Sequence, residues 1–193
     1  VLFRTTARLA HVKGVVMPGQ RASVPEPVLE KDPVKQVMLP ARAMKRRQVM
    51  AEKWPRLLAL AESLPENRIE PGQGKRGFVC AGVSYNYVKE AFPDAPVLKL
   101  GMVWPLPERK IRAFAATVDE LVVVEELDPF LELHIRAMGI PCHGKDVIPA
   151  IGELNPCLVR RALVPEEAVA VFPAPELPPR PPNLCAGCPH RGI

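Results

Sequence analysis

Apolar residues arrive along this chain in short bursts of strand length, each followed by residues at helical spacing. Gly77–Val83 is the first burst, Pro96–Met102 the second and Leu121–Val124 the third. After the first, Tyr85, Val88 and Phe92 share one helical face. After the second, Ile111, Phe114, Ala115 and Val118 do so, and after the third, Leu131, Ile135 and Met138. Strand-length apolar runs alternating with helical stripes predict βαβ units, and therefore a mostly parallel sheet beginning at Phe78.

Punctuation residues sharpen the helix ends. Pro107 opens the second helix of this series, and Asp128-Pro129 predicts a side-chain cap followed by a first-turn proline. Glu132 and Arg136 are spaced to pair across one turn, and Gly139 stops that helix. Asn155-Pro156 caps a last helix with Val159, Ala162 and Leu163 inward. Upstream, Ala41–Leu64 has helical composition with a stripe at Leu57, Leu60, Ala61 and Leu64, which Pro55 either kinks or divides into two. Glu66–Gly77 reads as a polar loop, and Ile140–Glu153 as a short returning strand with a loop. Val1–Phe3 looks like a strand.

Composition changes this picture in three ways. The 24 prolines crowd into 17–40 and 165–189, marking extended connectors. With 48% hydrophobic residues in 193, one α/β domain and extra segments fit. No apolar run approaches the roughly 20 residues of a membrane span, so a cytoplasmic protein with no membrane partner is expected. The net charge of +5 concentrates in 42–56, but aromatic residues form only 5% of the chain and no nucleic-acid-binding motif appears. A solvated helix face is the expectation there, with no nucleic acid partner. The chain begins at Val1 and stops at Ile193 just past a Cys-x-x-Cys run, which suggests a piece of a longer polypeptide.

Candidate chemistry gathers where the strands end, because ligands collect at the carboxyl ends of parallel strands. The candidates for ligand or domain-interface contact are Gly82, Ser84, Tyr85 and Asn86 after the first strand, Gly101 and Trp104 after the second, and Glu126 and Asp128 after the third. Gly82-Val83-Ser84-Tyr85-Asn86 half-matches the Gly-x-Ser-x-Gly elbow of hydrolases, but Asn86 replaces the last glycine. Ser84 is read as a cap or ligand contact rather than a nucleophile. Glu125 and Glu126 are adjacent on a strand, so they point to opposite faces and do not form one acid/base pair. The glycine-rich stretch at 72–77 precedes a strand rather than following one, so it reads as a plain turn. His134 reads as an ordinary packed or solvated histidine. Arg4, Arg8 and His11 are spaced to converge on an anion, and ordinary surface cations would look the same. Cys185 and Cys188 fit a redox dithiol, half a zinc site or two iron–sulfur ligands.

Taken together, the motifs resemble the thiamine-diphosphate-dependent 2-oxoacid:ferredoxin oxidoreductases, most closely the α subunit of the indolepyruvate type. The resemblance rests on Arg4-Thr5-Thr6-Ala7-Arg8 with His11, on Gly82–Tyr87, and on Leu98–Met102 with Trp104-Pro105-Leu106-Pro107. It continues through Val124–Pro129 and Arg180–Gly192, with Ala186 standing where the family pattern usually has proline.

It implies a layout: 1–16 the tail of a pyrimidine-binding-like domain, 17–40 a linker and 41–75 a helical connector. Residues 76–173 would form a transketolase C-terminal-like α/β/α sandwich, and 174–193 a linker entering the diphosphate-binding domain. The implied parent converts aryl-2-oxoacids to acyl-CoA with reduction of ferredoxin, using thiamine diphosphate, Mg²⁺ and 4Fe–4S clusters. Its partners would be the rest of the α chain, a β subunit, ferredoxin and coenzyme A. Cys185 and Cys188 would be cluster ligands in that parent. Within these residues no catalytic group and no cofactor is expected, the role being structural. A stand-alone nucleotide- or CoA-binding module is the alternative, and a serine hydrolase at Ser84 a third.

Overall fold

The computed structural model describes residues 15–167, which fall into two units divided after Arg47. In the first, residues 15–32 carry no regular structure before a single helical turn, α1 (Pro33–Gln36). The Asp32 carboxylate accepts from Lys35 N at 3.0 Å, capping the turn, and Pro33 occupies its first position. Helix α2 (Pro40–Ser63) crosses the division and continues through Pro55, so of the two alternatives at Pro55 the one that starts a second helix does not occur.

The second unit holds one four-stranded sheet. Its strands are β1 (Arg68–Glu70), β2 (Arg76–Ala81), β3 (Val97–Leu100) and β4 (Glu120–Val124), in the order β1-β3-β2-β4. β2 pairs in parallel with β3 on one side (Phe78 opposite Val97) and with β4 on the other (Phe78 opposite Val122). The three apolar bursts therefore lie side by side, with their carboxyl ends at a common edge.

Helices α3 (Val83–Ala91), α4 (Glu108–Ala115) and α5 (Phe130–Ala137) follow β2, β3 and β4, and α6 (Pro156–Leu163) closes the unit. Strand alternation sorts the core into two layers of side chains. Phe78, Cys80, Val97, Val122 and Val124 pack with Val88 of α3 and Val159 of α6. Val79, Leu98, Leu100, Leu121 and Val123 pack with Ile111 and Phe114 of α4 and Leu131 and Ile135 of α5. Helices on both faces make this an α/β/α sandwich with a mixed, mostly parallel sheet.

Three expectations are corrected. The stretch at 66–77 is not all loop: β1 adds to β3 in antiparallel fashion, Ile69 opposite Leu98. Arg68-Ile69-Glu70 is too short to show alternation, so only pairing reveals it as a strand. Asp128 does not cap α5 through its side chain. Pro129 is the capping position, and the Glu125 carboxylate reaches back to accept from Leu131 N (2.8 Å) and Glu132 N (3.0 Å). The returning strand after Ile140 reduces to one bridge, with His143 beside Val122 and main-chain bonds Val123 N to His143 O (2.8 Å) and His143 N to Leu121 O (2.9 Å).

Other readings match the structure. Glu132 and Arg136 pair at 2.9 Å, Gly139 takes φ 76° at the end of α5, and Asn155 caps α6 by accepting from Leu158 N at 2.9 Å.

Candidate functional site

The end of β2 turns into α3 through Gly82, at φ 55° and ψ −137°, a region that only glycine enters without strain. Ser84 follows inside the first turn of α3 and is 3% exposed, so a reagent cannot reach its hydroxyl as it would a nucleophile on an elbow. Asn86 faces solvent. Tyr85 turns toward the sheet's edge strand. Its hydroxyl donates to Glu70 at 2.8 Å, the Lys99 ammonium lies 4.7 Å from its ring centre and the Arg68 guanidinium 5.6 Å. The bond to Glu70 raises the Tyr85 pKa above the ordinary phenol value. Burial acts to raise the Glu70 pKa, yet the hydrogen bonds from Tyr85 and Arg68 outweigh it and hold the carboxyl below its ordinary value.

The end of β3 is organised by Asn67, a fully buried residue that the sequence reading passed over. Its Oδ1 accepts from Gly101 N (2.8 Å) and Met102 N (2.9 Å), while Nδ2 donates to Ala61 O of α2 (2.8 Å). Gly101 lies against Glu66, whose Cβ a side chain here would meet. The Lys110 ammonium adds a bond to Asn67 O. Glu62 of α2 accepts from Arg109 N (2.8 Å) and Lys110 N (3.2 Å), so its carboxylate caps the first turn of α4 from another helix.

This frame displays an aromatic group. Trp104 stands 5.8 Å from Trp54 of α2, 6.1 Å from Phe130 and 5.1 Å, edge-on, from His134. His134 is fixed by Nδ1–H donating to Phe130 O at 2.7 Å, so it is a packed histidine of this group. An open groove of about 610 Å³ runs beside these rings, lined also by Leu58, Leu106 and Met138 and by the charged Glu62, Glu108, Arg109 and Arg112. Trp104 remains 51% exposed.

The end of β4 is built in the opposite way. Glu125 caps α5, and Glu126 turns elsewhere to accept from Leu154 N at 3.0 Å; both lie in the loop just past β4 rather than on the strand, and the two carboxylates are held apart by these different partners. Leu127 sits at φ 57°, and Asp128 accepts through its carbonyl from Phe130 N at 2.9 Å. Buried Glu132 accepts from Lys145 N (2.8 Å) besides pairing with Arg136. Gly144 packs flat against that carboxylate, where a Cβ would collide. The Lys145 ammonium donates to Glu125 O, and desolvation lowers its pKa below the usual lysine value. Asp146 accepts from Gly144 N (2.6 Å) and pairs with His143 (2.6 Å), and those bonds, the amide's first, hold its carboxyl below its ordinary value.

Neither Glu132 nor Gly144 announced itself in the sequence. A Glu-x-x-x-Arg pair reads as exposed, and a glycine in a polar loop reads as a turn.

Cys80 is sealed in the core, its thiol pushed up to about 12 by burial, and Cys142 is raised for the same reason. Among the described residues no group of three His, Cys, Asp or Glu is placed to hold a metal ion, and no helix is long and apolar enough to cross a membrane. Arg4, Arg8, His11, Cys185 and Cys188 lie outside the described residues.

No family model matches the sequence. Curated relatives do. The chain is 35% identical over 212 residues to the indolepyruvate oxidoreductase subunit IorA of Methanothermobacter marburgensis, covering 100% of this chain and 34% of that protein. With the IorA subunit of Archaeoglobus fulgidus it shares 36% over 216 residues, covering 98% of this chain and 34% of the relative. With that of Thermococcus kodakarensis it shares 33% over 230 residues, again 34% of the relative. The chain thus spans about a third of the length of these relatives. Among solved structures, the 2-oxoglutarate:ferredoxin oxidoreductase of Magnetococcus marinus superimposes with a TM-score of 0.51 at 20% identity, over 66% of this chain and 24% of that one. This likeness bears on the fold.

Proposed function

We infer the function from kinship: the chain belongs to the family of the indolepyruvate oxidoreductase IorA subunits, and we propose that it forms the middle α/β domain of such an enzyme. The parent would oxidatively decarboxylate aryl-2-oxoacids to acyl-CoA and pass electrons to ferredoxin in the cytoplasm. The single observation that supports this reading is similarity along the whole chain, at 35% identity, to a subunit of that name.

The geometry supports a structural role for these residues. At the sheet edge Glu62, Glu125, Glu126 and Glu132 each accept from main-chain amides. Carboxylates engaged in this way position loops. Thiamine diphosphate with its magnesium and the iron–sulfur clusters belong to the parent. In this reading that chemistry, with Cys185 and Cys188 as cluster ligands, lies outside the described residues. The domain's work is to fix the ends of β2, β3 and β4 in position for the rest of the α chain and its β subunit.

The test is to produce the complete parent with its partner subunit and follow indolepyruvate-dependent reduction of ferredoxin with consumption of coenzyme A. Turnover that requires all three supports the reading. An assembled, cofactor-loaded parent that leaves indolepyruvate and other aryl-2-oxoacids untouched would sink it.

A further inference from the structure

The groove beside Trp104 has a composition that domain packing alone does not call for. Its volume of about 610 Å³ lies within the roughly 300–1,000 Å³ typical of small-ligand sites. Its lining offers aromatic rings: Trp54 and Trp104, with His134 in a T-shaped contact with Trp104. It also offers two guanidinium groups, each near a carboxylate of the lining, Glu62 and Glu108. Arg109 and Arg112 are three residues apart on α4, neighbours on the helix surface.

The two arginines differ in how far they are engaged. Arg112 is oriented by Glu108, which accepts from its Nε at 2.9 Å and its Nη2 at 2.6 Å. The Arg109 side chain is 83% exposed and meets Glu62 only at 3.9 Å, while both Glu62 oxygens already accept from main-chain amides. Its charge is the more open of the two to a new anion.

From this placement the geometry points to a ligand-binding groove for a mononucleotide: a flat base stacked on Trp104 and a phosphate held by Arg109 with Arg112. An exposed tryptophan gives a stacking surface that accepts any base. Paired guanidiniums suit a phosphate dianion, which offers several acceptor oxygens to their forked donors. A small aryl carboxylate would leave much of the groove unfilled. This inference stands independently of the family reading.

The two tryptophans in the chain, Trp54 and Trp104, both line the groove, so intrinsic fluorescence reports on this site. The experiment titrates the 193-residue chain with AMP, exciting beyond nucleotide absorption. Adenosine, inorganic phosphate and indole-3-acetate serve as the comparison probes. Saturable quenching by AMP is expected, with adenosine and inorganic phosphate each at least about tenfold weaker, because each lacks one half of the recognition. Arg109→Ala, at an exposed position, should weaken AMP by about tenfold while leaving the circular dichroism unchanged. Trp54→Phe should leave the Trp104 signal quenched by AMP. An unchanged AMP affinity in Arg109→Ala overturns the proposal. So does indole-3-acetate binding more tightly than AMP, or fluorescence that stays unaltered up to millimolar AMP.

Discussion

Two loops leave the same edge of the sheet and handle polarity in opposite ways. After β4, the carboxylates of Glu125, Glu126 and Glu132 point into the protein and each accepts from a main-chain N–H. After β3, the interior is settled by Asn67 and Glu62 from elsewhere in the chain, and the loop's own Trp104 stays half in water. Buried polar groups are tolerated only when fully paired, so the first loop resists change strongly. The second exposes groups whose removal costs the fold little. Paired carboxylates of the chain's own loop mark the end of β4, and an exposed tryptophan marks the end of β3.

Substitutions sharpen this contrast, and the largest effect belongs to the β4 side. Gly144→Val forces a side chain into the Glu132 carboxylate, and chemical denaturation should show a loss of about 2–3 kcal/mol or more. Glu125→Ala strips two amides of their acceptor and should cost about 1–2 kcal/mol by the same measurement. On the β3 side, Trp104→Ala should cost less than about 1 kcal/mol, since half of that side chain is already hydrated. A loss as large as that of Gly144→Val would break the comparison.

A smaller change runs the other way. Leu127→Gly relieves a left-handed backbone at an exposed position and should raise stability by about 0.5 kcal/mol, seen as a modest rise in Tm.

The smallest effect is in pH. The folded Asp146 pKa lies below its unfolded value, so its contribution is complete above the ordinary aspartate range. That contribution fades as pH falls through the lower folded value. Acid unfolding of Asp146→Asn should therefore be slightly less steep than that of the parent sequence over that interval. Because Asp146 is partly exposed, the difference should be slight.

The sequence disclosed those features whose signal is periodic. Phe78, Val97 and Leu121 each open a run long enough to read, and their helices carry stripes of three or four apolar residues, so the parallel sheet was legible. β1 was not, because three residues with a charge at each end contain no period, and its pairing with β3 is a long-range event. Capping was half legible. Asn155 caps its own helix, as local chemistry predicts. Glu125 displaces Asp128 from that task by reaching six and seven residues ahead, across Leu127 in its left-handed conformation. The candidates at the strand ends were found by topology, whereas Asn67, Glu62 and Trp54 come from the helix and turn before the sheet. No spacing rule ties them to Gly101, Arg109 or Trp104.

The single bridge at His143 has a consequence for solubility. It lays main chain along the outer side of β4, while the opposite border of the sheet is only Arg68-Ile69-Glu70. One border is partly covered and the other is short and flanked by charge, which leaves a foreign strand little template along which to extend the sheet. The edges of the sheet are thus guarded while Trp104 stays half exposed at the ends of its strands.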